Sequence, residues 1–260
     1  MGDGLMRLDC DTSIAEGYKS EAQKSRVLSE AWFLSNGYCL ACDCDKLTAT
    51  RANTKATDFV CPSCRQSYEL KASHNRLGRT LVDGAYGPLM NRILDGSAPT
   101  LMVLERNDKW KIENLTAIHH LFLTPNVIAQ RKPLSSTARR AGWVGCNIRL
   151  DQIALDARIS VVGQGLPCEP RLVRSAFRRF DGLKEIAPSA RGWTTLTLRI
   201  IRSLNQQEFS LSEVYAKENS FAALYPENNN IHAKVRQQLQ VLRDLGYLEF
   251  CGQGFYRLLI

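Results

Sequence analysis

The sequence lacks any hydrophobic run long enough to cross a membrane. Its apolar stretches, such as residues 101–104 and 159–162, fall far below the roughly 20 residues that a transmembrane helix needs. The first residues, MGDGLMR, contain no basic region followed by an apolar one, which is the pattern of a secretion signal. Repeats and low-complexity tracts are also missing. For a chain of 260 residues that is 44% hydrophobic, we therefore expect a soluble, cytoplasmic protein with one large domain or two ordinary ones.

Acidic residues are missing from one long stretch, because none occurs between Glu113 and Asp151. The chain carries a formal charge of +8, and this excess lies mainly in residues 1–184. The basic residues of the acid-free stretch are Arg131, Lys132, Arg139, Arg140 and Arg149. Such a segment suits contact with DNA phosphates, since Lys and Arg release counterions there. The alternative is a solvated loop that happens to be basic.

The cysteine count is odd, and a disulfide framework is a poor interpretation of it. The nine cysteines are Cys10, Cys39, Cys42, Cys44, Cys61, Cys64, Cys146, Cys168 and Cys251. Two Cys-x-x-Cys knuckles, Cys39 with Cys42 and Cys61 with Cys64, are separated by 18 residues. Two such knuckles complete a tetrahedral four-sulfur zinc site, so we predict structural Zn²⁺. Reduced, unliganded cysteines are the alternative, and Cys44 is a possible substitute for Cys42.

The second knuckle lies between two predicted strands, residues 57–60 and 67–71, which would make it the tip of a β-hairpin. Because strand residues alternate between faces, Glu69 and Lys71 should share one face. Asp58 lies on the partner strand at a similar distance from the turn. We therefore expect two carboxylates and an ammonium group to converge at one end of a small sheet.

This grouping is suited to cutting phosphodiesters. Asp58 and Glu69 supply hard oxygen ligands for Mg²⁺, while Lys71 can orient the attacking water or help to deprotonate it. A surface salt bridge is the alternative interpretation of an Asp with a distant Glu-x-Lys.

Asp58 followed by Glu69-Leu70-Lys71 resembles the core motif of the PD-(D/E)XK nucleases, and several longer segments resemble the DpnI family of restriction endonucleases. The matching segments are 18–20, 23–24, 83–86, 130–134, 137–148, 191–194 and 236–244. The resemblance covers nearly the whole chain and implies a type II enzyme that cuts GATC only when its adenine is methylated. Thr57 stands where the nuclease motif usually has Pro, which puts little in doubt because that residue is not a ligand.

The resemblance also implies a fold class: an α/β (α+β) PD-(D/E)XK core with an inserted four-cysteine zinc site, followed by a winged helix-turn-helix domain. Asp58, Glu69 and Lys71 match the catalytic triplet, and the two cysteine knuckles match the zinc site. Apolar spacing predicts a helix over residues 13–35, on which Glu30 is a candidate further metal ligand or else an exposed glutamate. Residues 80–94 are predicted to form a second helix, and 101–104 and 159–162 to form strands.

Trp143 lies between glycines in the acid-free segment. On the residues alone, a core tryptophan is slightly favoured over an exposed one. The resemblance implies instead that this loop reaches the major groove, where an aromatic side chain can contact the adenine methyl group. Arg139 and Arg140 would then read guanine or hold phosphates.

Residues 185–192 have the Pro, Ser and Gly of a linker, and we expect a catalytic domain over 1–184 and a winged helix over 185–260. Three helices, at about 193–204, from Ser210, and from Asn229 or Asn230 to Leu245, precede a glycine-turn hairpin. The third helix presents His232, Lys234, Arg236, Gln237 and Gln240 as a recognition helix would. A protein-contact module is the alternative for this domain.

The sequence thus predicts an Mg²⁺-dependent endonuclease that binds double-stranded DNA. The predicted DNA-binding residues are Arg131, Lys132, Arg139, Arg140, Trp143, Lys234, Arg236 and Gln237. The enzyme is expected to act as a monomer on adenine-methylated GATC. Two alternatives stay open: a zinc-containing winged-helix regulator that binds DNA without cutting it, and a nuclease with a different target.

Overall fold

The computed structural model describes residues 6–51, 57–74 and 76–260. The α-helices are α1 (Glu21–Asn36), α2 (Tyr86–Leu94), α3 (Pro170–Arg178), α4 (Arg191–Ser203), α5 (Leu211–Tyr215), α6 (Glu218–Ala222) and α7 (Ile231–Asp244). The strands are β1 (Thr48–Ala49), β2 (Phe59–Val60), β3 (Ser67–Ser73), β4 (Thr80–Ala85), β5 (Thr100–Arg106), β6 (Ile112–Ile118), β7 (Ile128–Gln130), β8 (Gly145–Arg149), β9 (Arg158–Gly163), β10 (Leu166–Pro167), β11 (Glu208–Ser210), β12 (Leu248–Gly252) and β13 (Phe255–Leu258). Within these ranges, no helix is both long and apolar enough to cross a membrane.

A seven-stranded sheet in the order β1-β2-β3-β5-β6-β9-β10 forms the centre of the molecule. Its strands pair antiparallel except for β3 and β5, which run parallel. The predicted strands at 101–104 and 159–162 correspond to β5 and β9. The predicted mixed α/β core is confirmed.

The apolar run of β5 is explained by burial on both faces of this sheet. Leu101 and Val103 point into a core cluster that also contains Phe122 and Phe180. Met102 and Leu104, which alternate with them, point into a second cluster. That second cluster contains α1 and α3 side chains, Trp32, Phe33, Val173 and Phe177 among them. A continuous hydrophobic strand is typical of this two-sided burial.

A second sheet, of three strands in the order β4-β8-β7, corrects one of our predictions. Residues 80–94 do not form a single helix: 80–85 pair antiparallel with β8, and the helix α2 begins only at Tyr86. Thr80 and Val82 are β-branched and Gly84 is a poor helix former, so the first part of this segment favours a strand.

The C-terminal region has the predicted winged-helix elements. Ser210 caps α5 through a capping box with Glu213, α7 follows, and β12 and β13 form the wing with a positive-φ turn at Gly252 and Gly254. The wing has three strands rather than two, because β11 pairs with β13.

Candidate active site and metal centre

The four knuckle cysteines form a compact sulfur cluster. Cys39 Sγ lies 3.5 Å from Cys64 Sγ, and Cys42 Sγ lies 3.6 Å from Cys61 Sγ. All four sulfurs lie within 4.8 Å of one another, and in a tetrahedral site with Zn–S bonds of roughly 2.3 Å the sulfurs are about 3.8 Å apart. The cluster therefore fits a zinc ion.

Cys44 is not part of this cluster, because its thiol donates to the Lys46 carbonyl oxygen at 3.2 Å. Burial alone would raise the pKa of the Cys42 thiol, but the backbone N–H of Cys44 and the neighbouring thiols outweigh it, so that pKa is lowered. A lowered pKa favours the thiolate, which is the form that binds a metal. Burial raises the pKa of the Cys39 and Cys64 thiols, so the geometry of the four sulfurs, rather than their acidity, carries the zinc assignment.

Two arginines of α3 hold the first knuckle in place. Arg174 donates to the carbonyl oxygens of Cys39 and Cys44 at 3.0 and 3.3 Å. Arg178 donates to the Ala41 carbonyl oxygen at 3.1 Å and pairs with Asp43 at 2.6 Å. The two arginines thus bind three backbone carbonyl groups of this segment, and the Cys44 carbonyl oxygen also accepts from the Cys39 backbone N–H at 3.0 Å.

The second knuckle is the tip of the β2–β3 hairpin, as predicted. Phe59 lies opposite Tyr68 in this hairpin, and the Asp58 backbone N–H donates to the Tyr68 carbonyl oxygen at 2.9 Å. The Asp58 carboxylate turns back across the hairpin and accepts from the Leu70 backbone N–H at 2.8 Å. The register thus brings Asp58 beside Glu69.

Glu69 and Lys71 lie on one face of β3 and pair directly, with Lys71 Nζ donating to Glu69 Oε1 at 2.5 Å. Burial raises the pKa of Glu69, and the carboxylates of Asp83 and Asp58 add to this while Lys71 opposes it. Burial by itself would lower the pKa of Lys71, but the Glu69 and Asp83 carboxylates outweigh it, so that pKa is raised. Lys71 is therefore held as an ammonium ion.

The donor set beside this pair fits a hard divalent cation. Glu69 Oε2 is buried and has no hydrogen-bond partner, and an unpaired buried carboxylate oxygen is costly. Asp58 supplies a second carboxylate next to it, and Mg²⁺ usually takes one or two protein carboxylates together with water and phosphate oxygens. Among the residues that the structure describes, the carboxylates do not form a cluster as tight as that of the four sulfurs.

Glu30 projects from α1 into a groove of about 430 Å³ that Asp58 also lines. The Arg26 guanidinium lies 3.9 Å from its carboxylate. Burial raises the pKa of Glu30; Arg26 opposes this rise and Asp58 adds to it. Glu30 is thus neither a remote surface residue nor part of the Glu69–Lys71 pair, and its role as a further ligand stays a prediction.

Within the acid-free segment, residues 131–144 form the long loop between β7 and β8, on the same small sheet as β4, and Arg149 lies at the end of β8. The side chains of Arg131, Lys132, Arg139 and Arg140 are exposed. Trp143 is half-buried: its ring lies against Gly145, where an added Cβ would come within 2.8 Å of it, and Arg140 lies 4.9 Å from the ring centroid. The indole is therefore neither a core side chain nor fully open to solvent.

The predicted recognition residues lie on α7. Arg236 and Gln237 are exposed, whereas Lys234 is half-buried and lies 5.9 Å from the ring centroid of Trp193. Lys234 also donates to the Gln237 side chain at 2.8 Å, and Arg236 donates to the Tyr215 hydroxyl at 2.8 Å. Lys234 and Gln237, one turn apart on α7, are therefore joined to each other, whereas Arg236 is held separately by Tyr215.

The sequence reasoning missed Asp83, the second carboxylate that contacts Lys71. Residues 83–86 were among the segments that carried the family resemblance, and that was a signal. Because residues 80–94 were predicted as a helix, the pairing of Asp83 with Lys71 was not recognised. The pairing depends on residues 80–85 forming a strand.

Comparison with protein families agrees with this architecture. Residues 6–186 match the DpnI, or Dam-replacing, family, and residues 189–258 match the Dam-replacing HTH domain. The two matches together span almost the whole chain, and the first alone covers more than half of it. The chain therefore belongs to the Dam-replacing (DpnI) family of methylation-dependent restriction enzymes.

Proposed function

We propose that this protein is a type II endonuclease that cleaves both strands of duplex DNA at GATC sites carrying methylated adenine. The buried Glu69–Lys71 pair beside Asp58 is the observation that carries this proposal. The Glu69–Lys71 pair lies on β3, the strand that follows the turn carrying Cys61 and Cys64. The small sheet that supports the exposed basic loop contacts it through Asp83.

In this proposal, Asp58 and Glu69 hold Mg²⁺, with Glu69 Oε2 offering an otherwise unpaired oxygen. The bound ion would supply Lewis-acid polarisation of the scissile phosphate. Lys71 orients the attacking water and its ammonium group offsets charge that develops on the phosphate.

The DNA is bound at two places. Arg131, Lys132, Arg139 and Arg140 contact phosphates or guanine from the loop between β7 and β8, while Trp143 contacts the adenine methyl group. Lys234, Arg236 and Gln237 contact the major groove from α7.

We further propose that residues 1–184 form a PD-(D/E)XK catalytic domain and residues 185–260 the winged-helix DNA-binding domain. In this proposal, the enzyme works as a monomer in the cytoplasm.

The test uses one plasmid prepared in two forms, with and without adenine methylation at GATC, incubated with Mg²⁺ and the purified protein. We expect the parent protein to cut only the methylated form, and Asp58→Ala to cut neither. Asp108→Ala is the matched control, because it removes an exposed carboxylate that pairs with His74 and does not belong to the group formed by Asp58, Glu69 and Lys71. It should cut like the parent.

Other outcomes would distinguish the alternatives. Binding without cutting by the parent would favour a zinc-containing regulator. Equal cutting of both plasmid forms would keep the nuclease and reject methyl recognition by Trp143. Full activity of Asp58→Ala would reject the catalytic role of the hairpin.

A further inference from the structure

Asp83 is a buried carboxylate from a different sheet than the catalytic strand. It lies on β4, and its side chain is only 3% exposed. The ladder between β4 and β8 shifts register between Asp83 and Ala85, so Gly84 is the extra residue of a β-bulge. The Gly84 backbone N–H donates to Asp83 Oδ1 at 2.7 Å. Bulges of this kind redirect a side chain, and here the bulge fixes the direction of the Asp83 carboxylate.

That carboxylate contacts Lys71. The Lys71 ammonium group forms one ion pair with Glu69 Oε1 at 2.5 Å and a second with Asp83 Oδ1. It is therefore held from two sides by two rigid strands, β3 and β4. A lysine side chain has four rotatable bonds and would lose this fixed position with a single partner.

The arrangement also affects Glu69. Because Asp83 shares the ammonium group, only one oxygen of Glu69 is engaged by Lys71, and Glu69 Oε2 has no partner. Asp83 itself is not well placed as a ligand alongside Asp58 and Glu69. Its Oδ1 is already engaged by Lys71 and Gly84, and the described carboxylates form no tight group of three ligand oxygens.

Asp83 further connects the catalytic strand with the basic loop. Its cross-strand partner on β8 is Cys146, which lies three residues beyond Trp143, and Arg131 N–H donates to Gly145 O at 2.9 Å at the base of the loop. The contact with Lys71 is thus made by the sheet that supports the loop.

We propose that Asp83 is a positioning residue for the proposed cleavage reaction: it holds Lys71 in place for the attacking water and leaves Glu69 Oε2 available to the divalent ion. This inference rests on the proposed function. It assigns to Asp83 an effect on the rate of the chemical step and no contact with DNA or with the reacting atoms.

The experiment measures two quantities for the full-length protein: single-turnover cleavage of a methylated GATC duplex with Mg²⁺, and affinity for the same duplex with Ca²⁺ in place of Mg²⁺. Because Asp83 acts only through Lys71, we expect Asp83→Ala to lower the cleavage rate by about 100-fold, the lower end of what a general acid–base group contributes, and Asp83→Asn by less, about tenfold. Affinity for DNA should change less than about threefold, since no DNA contact is removed. Asp83→Glu should recover part of the rate lost in Asp83→Ala.

Asp151→Asn is the matched control. Asp151 also pairs with a cation beside the small sheet, Arg79 at 3.0 Å, but at the opposite end of β4 from Lys71. It should cleave and bind like the parent. Thermal unfolding and zinc content of each variant identify any variant that is misfolded, in which case the isosteric Asp83→Asn carries the test.

Parent-like cleavage by Asp83→Ala, with Asp58→Ala inactive, would overturn the inference and leave the proposed function intact. A loss of DNA affinity in step with the rate would also overturn it, because Asp83 would then only support the loop. A parent protein that cuts no DNA would contradict the proposed function itself, and the role of Asp83 with it.

Discussion

At the residue scale, Thr57 shows how this chain holds the start of the hairpin that we propose to be catalytic. The nuclease motif usually has Pro at this position, where the ring would fix the backbone before the aspartate. Thr57 is buried and its hydroxyl accepts a hydrogen bond from Arg92 Nη1 of α2. Arg92 also donates to the Ser97 carbonyl oxygen at 2.5 Å and to Ser67 Oγ at 3.4 Å. One guanidinium therefore joins α2 to both strands of the hairpin.

We predict that Thr57→Val, which keeps the shape and removes the hydroxyl, destabilises the protein by about 1 to 2 kcal/mol because the Arg92 hydrogen bond is lost. Urea unfolding of Thr57→Val, Arg92→Gln and the double variant measures the coupling between the two residues. Thr57→Ser is the control and should stay close to the parent. Strictly additive effects of Thr57→Val and Arg92→Gln would show that this hydrogen bond contributes nothing.

At the scale of elements, one side chain joins the four-sulfur cluster to β3, the strand that carries the proposed catalytic residues Glu69 and Lys71. Tyr68 of β3 is fully buried; its hydroxyl lies 3.2 Å from Cys39 Sγ and accepts from the Leu40 backbone N–H at 2.8 Å. The next residue along β3 is Glu69. Loss of the metal would thus disturb the strand that carries the carboxylate, since structural zinc contributes directly to folding free energy.

We predict one zinc ion per chain in the parent protein and in Cys44→Ser, and substoichiometric zinc in Cys61→Ser. The two substitutions make the same chemical change, but only Cys61 belongs to the four-sulfur cluster. The Cys44 thiol instead donates a hydrogen bond to the Lys46 carbonyl oxygen. Atomic absorption on dialysed protein gives the stoichiometry, and thermal unfolding should show a lower Tm for Cys61→Ser alone. Equal zinc contents in the two variants would contradict the assignment of the ligands.

The β2–β3 hairpin could be predicted from the sequence and the strand β4 could not, because the two differ in how far apart their pairing partners lie along the chain. The knuckles and the β2–β3 hairpin depend on residues close in sequence, with Cys61 and Gln66 closing the turn by a backbone hydrogen bond at 2.9 Å. The strand β4 depends on pairing with β8, 60 to 69 residues further along the chain. The distant partner cannot be read from the local sequence, and the strand preference of Thr80 and Val82 alone did not separate 80–85 from the helix that follows, so Asp83 was missed.

At the scale of the whole molecule, the predicted linker at 185–192 is a packed junction. Arg191 is buried and donates to the carbonyl oxygens of Leu183 and Ile186 at 3.1 and 2.9 Å. A Cβ on Gly192 would lie 2.5 Å from the Tyr225 hydroxyl and 3.1 Å from Asn126 Oδ1. Glycine is therefore required at position 192 for close packing. A glycine in a flexible linker and a glycine in a packed junction look the same in the composition, which is why a linker was predicted. One core cluster continues across the junction, from Phe180 to Trp193 and Tyr247.

Two adjacent histidines in this shared core predict how the stability of the whole molecule depends on pH. His119 and His120 are buried, and the His119 ring stacks 4.1 Å from Phe177. Burial, together with the charges of His120 and Lys184, holds the pKa of His119 well below its usual range. Burial, with Lys184 and Arg191, lowers the pKa of His120 to about 3. Both rings are therefore neutral in the folded protein at pH 5, where they would be protonated in the unfolded chain, whose pKa is roughly 6.5.

Because the unfolded state binds more protons below this pH, the free energy of unfolding must fall as pH falls. Each histidine contributes a slope of up to about 1.4 kcal/mol per pH unit between pH 6 and 5. We predict that His120→Gln removes one such contribution, so that urea unfolding gives a shallower pH dependence than in the parent. Comparing slopes isolates the histidine from zinc release, which acid promotes in both proteins. Gln240→Ala is the control, because it changes an exposed side chain of α7 and removes no titratable group, and it should keep the parent slope. An unchanged slope in His120→Gln would show that this ring is protonated in the folded core.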